Sequence, residues 1–179
     1  MRRLSIGRQV VEVGERYFLS LISHLAKGYY ALAEAYHNCH VSGFADWKGT
    51  FQMPDIGQSE VINALEAQID DDELHEAFNS LREQLRELKE VDRQIVKWLA
   101  ELVGLPSLWD EQDRACLEQR LHKIVAEGPD GRPQGPVWVM HPEYQALVER
   151  SREVMAAVSE TQRRIEQRLQ QLLECSAEV

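Results

Sequence analysis

The chain has 179 residues and a mass of 20.6 kDa, 44% of them hydrophobic and 28% charged; it is too apolar to be disordered and long enough for one domain with a sizeable core. Thirty acidic against twenty basic residues give a net charge of −10, which argues against nucleic acid or an anionic membrane as the main partner. Cys39, Cys116 and Cys175 are far apart and form no C-x-x-C pair, so a reducing, cytoplasmic compartment is expected.

The opening MRRLSIGRQVVEVGER carries paired arginines, but Arg8, Glu12, Glu15 and Arg16 interrupt any apolar stretch of the roughly seven or more residues that an export signal needs. The apolar run FLSLISHL, residues 18–25, is far shorter than the roughly 20 residues that span a bilayer. Neither a signal peptide nor membrane insertion is expected.

Apolar residues recur at helical spacing almost throughout, and no stretch alternates long enough to predict a strand. The first predicted helix covers about residues 8–40. Its seam is Val11, Gly14, Phe18, Leu21, Leu25, Gly28, Leu32, Ala35 and Cys39. Gly14 and Gly28 each cost about 1 kcal/mol of helix propensity against alanine, which is easier to understand where another helix approaches closely.

Residues 41–58, VSGFADWKGTFQMPDIGQ, read as a long connection, followed by a short helix from Ser59. The acidic run at 70–72 suits the start of a second long helix, ending near Val103 with Gly104 and Pro106 beyond it. Its seam is Leu74, Phe78, Leu81, Leu85, Leu88, Asp92, Ile95, Leu99 and Leu102, and this spacing makes it the expected best-buried helix.

A shorter helix is predicted from Ser107 to about Glu127. After it, GPDGRPQGPVWVMHP breaks helical structure, and a last long helix runs from Pro142 to about Glu174 with Leu147, Val154, Val158, Ile165 and Leu172 on one side. The expected fold is all-α: a single helical-bundle domain over residues 1–179, up-down and antiparallel, of about four helices. Three are long and one shorter, with a further short helix in the 41–70 connection.

The densest cluster of metal-binding residue types is EAYHNCH, residues 34–40. On an ideal helix Cys39 falls on the seam with Leu32 and Ala35, while Glu34 and His37 fall opposite, so the three cannot share one metal. Glu34 and His37 form an E-x-x-H pair, and Asp72 with His75 repeats the spacing. Di-iron bundles point such pairs inward; here both acids and His37 point away from their seams, which predicts a solvated face.

In an up-down bundle the first helix ends where the second long one begins. His37, His40, His75, His122 and His141 would then gather at one end, beside Trp47 and Trp138. With Glu34 and Asp72 they are the candidate ligands for a divalent transition metal, the alternative to the expectation of no cofactor.

Asp92 interrupts an apolar seam and so calls for a partner on another helix or chain. Val91 and Trp98 widen the same face, marking either the most buried helix or a docking surface. Val91, Asp92, Trp98, Trp47 and Trp138 are therefore the candidate partner-binding residues, with a homodimer as one outcome.

No nucleophile elbow, phosphate-binding loop or H-E-x-x-H is present. The expected function is that of a non-enzymatic interaction protein (an adaptor, small chaperone or assembly factor) binding a protein partner through apolar helix faces. The rival is a bundle with a metal or small-molecule site at its histidine-rich end.

Overall fold

The computed structural model describes residues 1–43, 60–102, 104, 117, 119 and 137–177. It is an all-α helical bundle preceded by a small hairpin. Strands β1, Arg2–Ile6, and β2, Gln9–Val13, pair antiparallel with Leu4 opposite Val11 and Ser5 opposite Val10. Helix α1 is Glu15–Ser42, α2 is Glu60–Ala67, α3 is Asp72–Leu102 and α4 is Pro142–Ala177, with a single 3-10 turn at Val137–Met140.

The hairpin corrects the expectation of a helix from residue 8. Gly7 takes a φ of +62°, a left-handed conformation open to glycine, and with Arg8 it closes a two-residue turn whose twist suits antiparallel strands. Leu4 then anchors β1 at 2% exposure.

The helix boundaries follow local chemistry. Asp71 caps α3, its Oδ2 accepting the Leu74 N–H at 3.1 Å. Gly104, just beyond α3, has a φ of +78°, the expected glycine stop. Pro142 opens α4 as expected, and the preceding His141 accepts the Glu143 N–H on its Nδ1 at 3.2 Å, an imidazole acting as cap.

The chain divides into two compact units, each containing segments of all three long helices. Unit 1 comprises Met1–Ala33, Pro54–Arg86 and Ala156–Val179. Its α3 and α4 segments are antiparallel: Arg168 forks onto Asp71 at 2.6 and 3.0 Å, and Gln84 donates to Thr161 at 2.9 Å. Arg2 pairs with Glu15 at 2.7 Å in the first turn of α1 and with Asp70 at 3.2 Å just before α3. These two helices thus begin side by side, which corrects the expectation that the end of α1 lies beside the start of α3.

Unit 2 comprises Glu34–Met53 and Glu87–Met155. Its core holds Val91, Ile95, Val96, Leu99, Leu117, Trp138 and Tyr144, all buried. Here too α3 and α4 are antiparallel, with Glu87 facing Arg150 at 3.8 Å and Trp98 Nε1 donating to Glu143 at 2.8 Å.

Along α3 the expected seam is buried from Leu74 to Leu99, except that Asp92 is partly buried and Leu102 is half exposed. Along α1 the seam is rotated. The buried residues are Phe18, Leu19, Ile22, Leu25, Ala26, Tyr29, Leu32, Ala33, Tyr36 and His40, whereas Val11 lies in the hairpin and is exposed. Among the described residues, no atom lies within 4 Å of a Cβ built on Gly14 or Gly28, so the close approach expected at these glycines is not made by any described helix. Residues 117 and 119 are helical and Leu117 is fully buried; the remainder of the predicted helix at 107–127 lies outside the described residues.

Candidate functional sites

Three polar residues, each on the apolar seam of its own helix, meet inside unit 2. His40 follows Ala33 and Tyr36 on α1, Asp92 lies between Leu88 and Ile95 on α3, and Ser151 lies between Leu147 and Val154 on α4. His40 and Ser151 are fully buried. His40 Nε2 is 2.8 Å from Asp92 Oδ1, and its Nδ1 is 2.9 Å from Ser151 Oγ. The same Oγ is 2.8 Å from His37 Nδ1.

Proton counting fixes the directions when both imidazoles are neutral and the carboxylate is ionised. Asp92 can only accept, so His40 donates from Nε2 and leaves Nδ1 bare. Ser151 O–H donates to that nitrogen, and His37 Nδ1–H donates to Ser151 Oγ.

The surrounding groups hold this layer in place. Tyr144 O–H donates to the His40 carbonyl at 2.7 Å, and Trp138 Nε1 to the Gly43 carbonyl at 3.2 Å. Burial, followed by the nearby charge of Asp92, pushes the Tyr144 phenol above its ordinary range. Burial likewise lowers His37, aided by His40 and Arg152.

A serine, a histidine and an aspartate thus stand in hydrogen-bond sequence. The serine hydroxyl, however, is buried mid-helix between two imidazoles, with no surface from which a substrate could reach it. What the layer can do is fix helix register.

Of the candidate ligands, His37 and His40 converge on Ser151. Glu34 is exposed, while His37 is half-buried on Ser151 rather than solvated. His141 is spent as a helix cap and lies against the Trp98 ring at 5.1 Å. Asp72 and His75 belong to unit 1, where His75 lines a shallow pocket with Glu66 and Arg82. His122 and Trp47 lie outside the described residues. Among the described residues, no three His, Cys, Asp or Glu side chains are grouped as a metal would require.

Val91 and Trp138, expected as partner contacts, are turned into the unit 2 core, with Trp98 and Cys39 partly buried against it. The first two are almost fully buried, at 3% exposure. Val91 also helps line a surface depression with Glu87, Glu90 and Arg150.

A second candidate site, at the hairpin, has no counterpart among the sequence-predicted residues. Gln68 at the end of α2 accepts the Ser5 N–H at 2.8 Å and donates to the Ser5 carbonyl at 3.0 Å, closing the outer edge of β1 with a side-chain amide. Ser5 therefore points its main-chain groups away from β2. Its cross-strand partner Val10 must point its own away from β1, and Glu12, two residues on, does the same.

Strand β2 is exposed on both faces from Gln9 to Glu12, with Val10 62% and Val11 45% exposed. Its outer edge has no strand beside it among the described residues. Such edges are ordinarily protected, because they invite another strand to pair.

Comparison with protein-family models, curated proteins and solved structures finds no match. Among the described residues no helix is long and apolar enough to cross a membrane.

Proposed function

We propose that this chain is a non-enzymatic interaction protein that recognises a protein partner by adding a strand to β2. The observation that carries the reading is the asymmetry of the hairpin: Gln68 closes the edge of β1, while β2 offers Val10 and Glu12 main-chain groups beside exposed valines. Main-chain bonds supply affinity in this mode and alternate side chains supply selectivity. Of the residues expected to serve this role from helix faces, Val91 and Trp138 are buried in the unit 2 core. The wide spacing of the three cysteines, with no C-x-x-C pair, supports a reducing, cytoplasmic setting.

The test is a photoreactive p-benzoylphenylalanine placed at Val10 or, as a control on an exposed face of α4, at Arg164, in cells of the native host. Adducts specific to position 10 that disappear with Glu12→Pro support the reading. Absence of adducts at position 10, or the same adducts from both positions, overturns it.

A further inference from the structure

We propose that the occupant of the β2 edge is β2 of a second copy of this chain, paired antiparallel about a two-fold axis through Val11; this rests on the strand-addition reading above. The axis follows from backbone parity. Only Val10 and Glu12 point their N–H and C=O groups outward within β2, and an isologous antiparallel contact must join such residues to each other.

Three centres are available. An axis through Glu12 sets two carboxylates directly opposite each other. An axis through Val10 joins Val10 to its own copy, but the next ring would need Arg8, which lies in the turn rather than the strand. An axis through Val11 forms two complete rings, Val10 with Glu12 of the copy and the reverse, so it makes the most bonds and opposes no like charges.

The side chains agree with this centre. Leu4 and Val11 are cross-strand neighbours, and the axis brings Val11 against Val11 of the second copy, extending the apolar row through both hairpins. On the other face Glu12 of each copy lies opposite Val10 of the other, and Arg3, 3.3 Å from Glu12 within each hairpin, offsets the charge of the diagonal Glu12 of the copy. The half-exposed Val11 is then covered by its own equivalent.

Sedimentation equilibrium of the purified full-length chain, from low to high micromolar, is the first measurement, with circular dichroism and thermal unfolding to establish that each variant folds. The expected result is a concentration-dependent dimer. Val10→Pro removes an outward N–H without touching the β1–β2 ladder, and Val11→Lys sets two ammonium groups against each other; each should weaken dimerisation by about tenfold or more.

Register is read by mild oxidation of Val11→Cys and Val13→Cys in a Cys39→Ala, Cys116→Ala, Cys175→Ser background. Position 11 should cross-link, because the directly opposed pair has Cα atoms about 4.5 Å apart, within disulfide reach. Position 13 should not.

A monomer at high micromolar concentration overturns the second copy as occupant, as does a dimer indifferent to both Val10→Pro and Val11→Lys, or one that cross-links at position 13 but not 11. If position-10 photo-adducts in the host match another protein rather than twice this chain, strand addition stands and the second copy falls. If no position-10 adduct forms, strand addition itself falls.

Discussion

His40 Nε2 lies 2.8 Å from Asp92 Oδ1, joining two helices through residues that interrupt otherwise apolar seams. The carboxylate keeps some contact with solvent at 19% exposure, whereas the imidazole has none. Loss of the acceptor should therefore be felt mainly through the histidine.

Asp92→Ala leaves the buried Nε2–H without this acceptor and should cost about 1–3 kcal/mol. Asp92→Asn retains an oxygen at the same place and should cost distinctly less. Urea denaturation of the two variants checks this, and equal losses would show that the accepting oxygen is not what the site needs.

Stability should decline under mild acid because of His37. Its pKa is lowered from 6.5, chiefly by burial and then by His40 and Arg152. The folded state thus binds the proton less readily than the unfolded state, so the contribution is complete above about pH 6.5 and is lost as pH falls through the folded value. Asp71, held down by its hydrogen bonds to Arg168, yields only below its ordinary 3.8, a separate and lower window. Thermal midpoints from pH 7.5 to 5 should fall for the parent and fall less for His37→Asn; parallel curves would assign the acid sensitivity elsewhere.

The seam of α3 was legible because its apolar residues occupy one narrow stripe among charges, which admits a single phase. Between residues 17 and 36 the α1 segment has apolar residues at 17, 18, 19, 21, 22, 25, 26, 29, 30, 31, 32, 33, 35 and 36, so several phases fit, and the one through Gly14 and Gly28 proved rotated away from Ile22, Tyr29 and Tyr36. That same error placed His40 among helix-end residues rather than in the core. Ser151 carried a readable signal, four residues after Leu147 and three before Val154, but a small hydroxyl on a seam is easily taken for a gap between apolar positions. The hairpin was hidden by strands of five residues each, too short for alternation to outweigh helical spacing; its real signal was Gly7 in a two-residue turn ahead of the valine-rich run at 10–13.

In unit 1 the Glu66 carboxylate is buried against Arg82 and the Tyr29 hydroxyl, the latter donating at 2.5 Å. Tyr29→Phe removes a charge-assisted bond and should cost about 1.5–3 kcal/mol. Arg82→Met leaves the carboxylate short of its cation. The arginine is 40% exposed, so the loss should fall below the roughly 3–5 kcal/mol of a fully buried pair. Adding Glu66→Gln to Arg82→Met should recover part of it, since a neutral amide needs no cation. A double-mutant cycle by guanidinium denaturation measures the coupling, and strict additivity would contradict the pairing.

Gly28 lies in the middle of α1, where glycine costs backbone entropy and supplies no packing. A Cβ added there would meet nothing within 4 Å among the described residues, and its helical backbone suits alanine. Gly28→Ala should therefore stabilise the chain by roughly 0.5–1 kcal/mol, largely by restricting the unfolded state. The sequence-based alternative was that another helix comes close at this position. If an outside helix does so, alanine would still stabilise the isolated chain but would weaken the complex, because the methyl group would occupy the contact. Thermal unfolding of the purified variant decides the first point: a lower midpoint than the parent would mean that a neighbour already fills the space beside Gly28.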